Sequence, residues 1–153
     1  MKTVKSNRIG MFCTIAATAL LMACGNNGEK EKAEIEKIKV ETIAVHDEIM
    51  PQIATFDRQG LTVDTILVRL DSLYKANPSL DTAAIRQDLT QLKNRLDDAT
   101  DQMMRWMMEF QEEPQGSVDS VKAYFNTELD KIKKMRDFFE EVKNEAAEKL
   151  QNF

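Results

Sequence analysis

Between residues 85 and 110 the apolar side chains recur with a fixed step. Ile85, Leu89, Leu92, Leu96, Ala99, Met103, Trp106 and Phe110 are spaced 4-3-4-3-4-3-4. A repeat averaging 3.5 residues keeps one face of an α-helix apolar over its whole length. A second run carries Val118, Val121, Phe125, Ile132, Met135, Phe139, Val142 and Ala146, with Glu128 interrupting the seam and Leu129 beside it. Arg136–Glu140 and Glu145–Lys149 sit at i,i+4 on its outer face, a spacing that supports helix. In the first third, Ile35, Ile49, Phe56, Val63 and Leu70 share one heptad position, with Thr42 in the gap; Ile38, Val45, Ile66 and Leu73 share the other. No segment alternates as a half-buried strand does.

Glycine and proline mark the joints. After residue 28, Gly occurs only at 60 and 116, and Pro only at 51, 78 and 114. Asn77-Pro78-Ser79 is a turn, with Ser79 or Asp81 as N-cap of the helix that carries the 85–110 seam. Glu113-Pro114-Gln115-Gly116 ends that helix, and Ser117 caps the last. The first seam keeps its phase through Pro51 and Gly60, which a chain turning back on itself has no reason to do. A glycine costs only ~1 kcal/mol inside a helix and does not force a break. The pattern predicts an all-α, antiparallel up-down-up three-helix bundle, with a kinked first helix from about residue 31 to 76. The alternative is a four-helix bundle broken at Gly60. A seam left exposed in either arrangement would allow a homo-oligomer.

The first residues read as an address. Lys2, Lys5 and Arg8 precede an apolar run of 12 residues, Met11 to Met22, shorter than the ~20 a membrane-spanning helix needs. The run ends in Leu21-Met22-Ala23-Cys24, which looks like the lipobox of a bacterial lipoprotein. That likeness implies a signal peptide over 1–23, removed on export, and acylation of Cys24, with palmitate among the usual chains. Two or more chains give stable anchoring to a membrane. Gly25-Asn26-Asn27-Gly28 then reads as a flexible tether, so residues 24–30 are lipidated cysteine and tether and 31–153 the helical body. In lipoproteins of the kind this start resembles, Asp after the cysteine goes with retention in the inner membrane; Gly25 stands there, so the likeness implies the outer membrane of the cell envelope.

Composition narrows the chemistry. Loss of three basic residues with the leader leaves 18 basic against 26 acidic residues, a formal charge of −8 over 130 residues. Such acidity argues against nucleic acid as a partner. Cys13 leaves with the leader and Cys24 is committed to lipid, so no disulfide forms. A single His excludes a multi-His metal site within one chain. There is no Gly-rich phosphate loop, Ser-centred elbow or zinc spacing. Asp47 and Glu48 point about 100° apart on a helix and make a poor acid–base pair. The chain is therefore read as a non-enzyme with no catalytic residue.

Two stretches remain unusual. His46, the only histidine, lies in Val45-His46-Asp47-Glu48-Ile49-Met50-Pro51. Pro51 deprives the Asp47 carbonyl of its helical donor, so a kink falls beside His46. His46 sits about 60° from the seam centre and shares a face with Met50. The other stretch is Met103-Met104-Arg105-Trp106-Met107-Met108-Glu109-Phe110, which holds four of the six methionines left after the leader. Met104 and Met108 fall outside the seam, where charge is usual. With tight joints and equal rise, facing residues total about 156 across the first joint and about 230 across the second. His46 is then level with Phe110, Met50 with Trp106, and Tyr124 with Trp106. One layer collects His46, Met50, Met103, Trp106, Met107, Phe110, Tyr124 and Phe125. The layer has three readings. It is sulfur–aromatic packing. Or His46, Met50, Met103 and Met107 are ligands for a soft metal, copper, or for haem iron. Or Met104 and Met108 form an adaptable surface for an unidentified envelope protein.

The words His46-Asp47-Glu48-Ile49-Met50-Pro51 and Met103-Met104-Arg105-Trp106-Met107 resemble a group of small bacterial lipoproteins of unknown function, some labelled "viral A-type inclusion protein". The resemblance covers most of the mature chain and implies the same lipobox start and helical body. It implies no activity. This chain departs from the group's long charged stretch after the proline word, carrying Gln59-Gly60-Leu61-Thr62 instead. Continuity of the first helix therefore turns on Gly60.

Overall fold

The computed structural model describes residues 25–151 and 153. The leader and Cys24 lie outside the described residues. Among those described, every regular element is helical. Helix α1 spans Gly25–Ile49 and is followed by a single 3₁₀ turn, Met50–Gln52, and by α2, Ile53–Ala76. Helix α3 spans Thr82–Glu109 and α4 spans Val118–Leu150. The expected three-helix bundle with a long, kinked first arm is what forms.

Pro51 makes the kink. Without an N–H it cannot continue the i→i−4 ladder, and the chain tightens to 3₁₀ geometry before Ile53 donates to the Met50 carbonyl. Gly60 makes no break. It is buried within α2 and its φ is not positive. One reading is corrected. Gly25–Gly28, expected as a flexible tether, forms the first turn of α1. The following run, with Lys30–Glu34 and Lys32–Glu36 at i,i+4, stabilises helix that propagates back over it.

The kink also marks a change of neighbour. α1 packs mainly on α4, whereas α2 packs mainly on α3. Ion pairs follow the same division. Glu34–Lys122 (2.7 Å) and Glu41–Lys133 (2.6 Å) join α1 to α4 in parallel. Asp64–Lys93 (3.2 Å) and Asp71–Arg86 (3.8 Å) join α2 to α3 antiparallel. Arg95 reaches Glu141 and Glu145 of α4, each at 2.7 Å. Exposed pairs of this kind add little stability singly, but all agree on one alignment. Beneath them Ile49, Phe56, Val63, Leu92, Ala99, Met103, Ile132, Phe139 and Val142 are closed to solvent. Phe56 and Phe139 meet with ring centroids 5.0 Å apart. Thr42, the polar residue in the first seam, is fully buried and donates to the Ile38 carbonyl at 2.8 Å, so its hydroxyl costs no unpaired donor.

The joints are capped as their residues suggest. Asp81 accepts from the Ala84 N–H at 3.0 Å, and Ser117 from the Ser120 N–H at 3.2 Å. Gly116 has φ +147°, and a Cβ there would fall 2.4 Å from Ser120 Oγ, so this position needs glycine.

Gly60 gives a decisive substitution. A Cβ built on it meets only Lys93 Nζ, at 3.8 Å. Gly60→Ala should therefore stabilise the fold by ~0.5–1 kcal/mol, through helix propensity and a less flexible unfolded chain. Urea unfolding followed by circular dichroism measures this; destabilisation would mean that residue 60 is a turn.

Candidate functional site

The site grows from the last two turns of α3. Ala99, Met103 and Trp106 continue the seam and are buried, so the indole is held between the first arm and α4. α1 brings His46 onto it: imidazole and indole stack with centroids 5.6 Å apart and planes 28° apart. Four residues on, just past the end of α3, Phe110 stacks on Trp106 at 4.7 Å. α4 closes the group with Tyr124 and Phe125, 6.4 and 6.3 Å from Phe110. The Tyr124 hydroxyl accepts from the Gln111 N–H at 2.7 Å, which ties the joint to α4. Five rings thus span all three arms.

The expected layer assembles, displaced by one turn on each side. His46 stacks on Trp106 rather than facing Phe110. Before Pro51 the first arm packs mainly on α4 rather than α3, so equal rise along α3 no longer holds there. Tyr124 faces Phe110 rather than Trp106. The joint after α3 begins and ends in extended backbone, Phe110 at ψ 128° and Ser117 at ψ 160°, so α4 starts beyond the end of α3. Met50 and Met107 are partly buried and pack against the core, and Met103 lies within it. Met104 and Met108 stay on the outside, 46% and 83% exposed.

The pattern missed Glu128, which it marked only as an interruption. Glu128 is 5% exposed, and Oε2 accepts from the Trp106 indole N–H at 2.9 Å. Its Oε1 accepts from Lys131 Nζ at 2.8 Å. A buried tryptophan needs an acceptor, and a carboxylate in an apolar seam needs donors. Each is the other's solution, and the one-turn displacement of α4 is what hid the pairing. The bond to Glu128 is also the main cause that raises the Lys131 ammonium above its ordinary value.

His46 has its own partner. Nδ1 lies 2.9 Å from Asp47 Oδ1, while the buried Nε2 makes no hydrogen bond. An ionised carboxylate can only accept, so in the neutral ring Nδ1 carries the hydrogen and Nε2 the lone pair. Among the described residues no three His, Cys, Asp or Glu side chains converge as a metal cluster; the thioethers of Met50, Met103 and Met107 are a different donor class. An open groove of about 560 Å³ lies on the α4 side of Trp106, lined by Asp98, Arg105, Glu109, Lys131 and Lys134 among others. Its mixed charge favours no ligand of single sign. Comparison of the chain with protein-family models, curated proteins and solved structures finds no match.

Glu128→Leu should cost about 1–3 kcal/mol, because the indole N–H is left buried without an acceptor. The double variant with Trp106→Phe should recover part of that loss. The Lys131 contribution is full below the ordinary lysine value and is lost as pH rises through its raised folded value. That alkaline limb should be absent in Glu128→Leu. Urea unfolding at several pH values reads both; additive single and double variants would disprove the pairing.

Proposed function

We propose that this protein is a lipid-anchored lipoprotein of the bacterial cell envelope whose acidic helical body is an interaction module for another envelope protein. Cys24 carries the anchor, the outer membrane is the favoured home, and no catalytic residue or nucleic-acid contact belongs to this reading. The lipobox, with its basic leader and short apolar run, supports the anchor. The exposure of Met104 and Met108 carries the interaction. The two lie one turn apart on α3, outside the seam that holds the bundle. Methionine is flexible and polarizable, and it adapts to apolar partners without a preformed shape. Leu61 and Val68 of α2, 68% and 84% exposed, add apolar surface that the heptad pattern did not single out.

The anchor and the surface are tested separately. Cys24→Ala should move the protein out of the membrane fraction and abolish palmitate labelling; unchanged fractionation would overturn the anchor. Photo-crosslinking from residue 108 in intact cells should give one dominant adduct that Met104→Glu reduces at least several-fold, with helix content unchanged. An adduct of equal yield in Met104→Glu would overturn the surface.

A further inference from the structure

We infer that His46 Nε2, with the thioethers of Met50 and Met107, forms a binding site for a soft monovalent cation, Cu(I) or Ag(I), beside the Trp106 indole. The interaction reading rests on Met104 and Met108 and stands or falls apart from this one.

Four observations bear on it. First, His46 is oriented as a ligand. Asp47 holds Nδ1–H at 2.9 Å, the carboxylate–histidine arrangement that fixes the tautomer and strengthens the other nitrogen as a donor. Second, that nitrogen is free: Nε2 is closed to solvent and has no hydrogen-bond partner, although the His46 side chain as a whole is 20% exposed. A buried lone pair without a donor is costly unless something else takes it.

Third, thioethers lie within reach. Met50 is one turn from His46 on the same face. Lys93 marks the face of α3 turned to the first arm, through its pair with Asp64, and Met107 lies two heptads further along that face. The stack of His46 on Trp106 fixes the level. Met50, one turn nearer the kink, then falls level with Gln102 and next to the level of Met103, a little over one turn from Met107. Both Met50 and Met107 are partly buried against the core, so neither side chain is free in solvent. Met103 is fully buried and backs the site from within the seam.

Fourth, the donor set selects the ion. One imidazole nitrogen and neutral thioether sulfurs match a soft, singly charged cation and suit neither Zn(II) nor a hard oxygen-seeking ion. Haem, the other possibility for a His/Met pair, does not fit. The imidazole is stacked on the indole and Nε2 is enclosed, so a porphyrin would have to part α1 from α3, whereas a bare ion needs no such room. Pro51 matters here because the turn it makes, where the first arm passes from α4 to α3, begins at Met50, just beyond His46.

The test uses the full lipidated chain in detergent micelles under anaerobic conditions. Cu(I) is delivered from a chromophoric chelator, and Ag(I) is titrated directly. Binding of one ion per chain with quenching of Trp106, the only tryptophan, is expected, with no response to Zn(II). Met50→Leu and Met107→Leu conserve volume, so they should leave the helical signal intact while each weakens Cu(I) binding by roughly tenfold or more. His46→Gln should abolish quenching, and Asp47→Asn should weaken binding by roughly 10–100-fold, as loss of a ligand's own partner does. Binding no tighter than micromolar, or binding unchanged in both Met→Leu variants, would overturn the site.

Discussion

Pro51 takes one hydrogen-bond donor out of the first arm, yet the apolar seam arrives on the core side on both sides of it. Ile49 and Phe56 are seven residues apart across the proline and both are almost wholly buried. The rest of the bundle depends on that continuity. Had the phase slipped by one residue, the seam would have turned about 100° away, and neither α4 nor α3 would have found an apolar face to cover. The single 3₁₀ turn bends the arm and lets it trade one neighbour for another. The first arm therefore serves as two helices packed on different partners while remaining one seam.

Trp106 is where that geometry is most heavily used. Its indole is stacked by His46 on one arm and by Phe110 on its own helix, and it donates to Glu128 on the third. Apolar burial supplies most of the favourable free energy in such a core, but burial has no direction. The indole N–H and the Glu128 carboxylate do. Each carries a large desolvation cost if unpaired, so together they select the alignment of α3 against α4 from among several of similar apolar area. The ion pairs outside are consistent with that alignment and add little to it.

The candidate site was legible in part. Helical spacing alone assigns Met103, Trp106 and Phe110 to the core side, and places His46 and Met50 at its edge. It also sends Met104 and Met108 outward. Counting residues from the joints brings His46 and the methionine stretch to one height. It misses by a turn because it treats the helices as parallel rods joined tightly. The first arm changes neighbour at Pro51, and the joint before Ser117 is extended. Glu128 was hidden for the same reason: its partner lies on another helix, and the partner's identity depends on a displacement of one turn.

Sequence by itself determined the helical class, the kinked long first arm, the caps at Asp81 and Ser117, and which face of each helix is apolar. These are properties of neighbours within a few residues: periodicity, a missing N–H, a side-chain oxygen beside a helix start. Tertiary structure alone decided that α1 serves α4 while α2 serves α3. It also decided that Glu128 answers the Trp106 N–H and that His46 meets Trp106 with Nε2 enclosed. Those outcomes depend on crossing angle and axial displacement, which arise only when three seams compete for the same interior, and no local spacing encodes them.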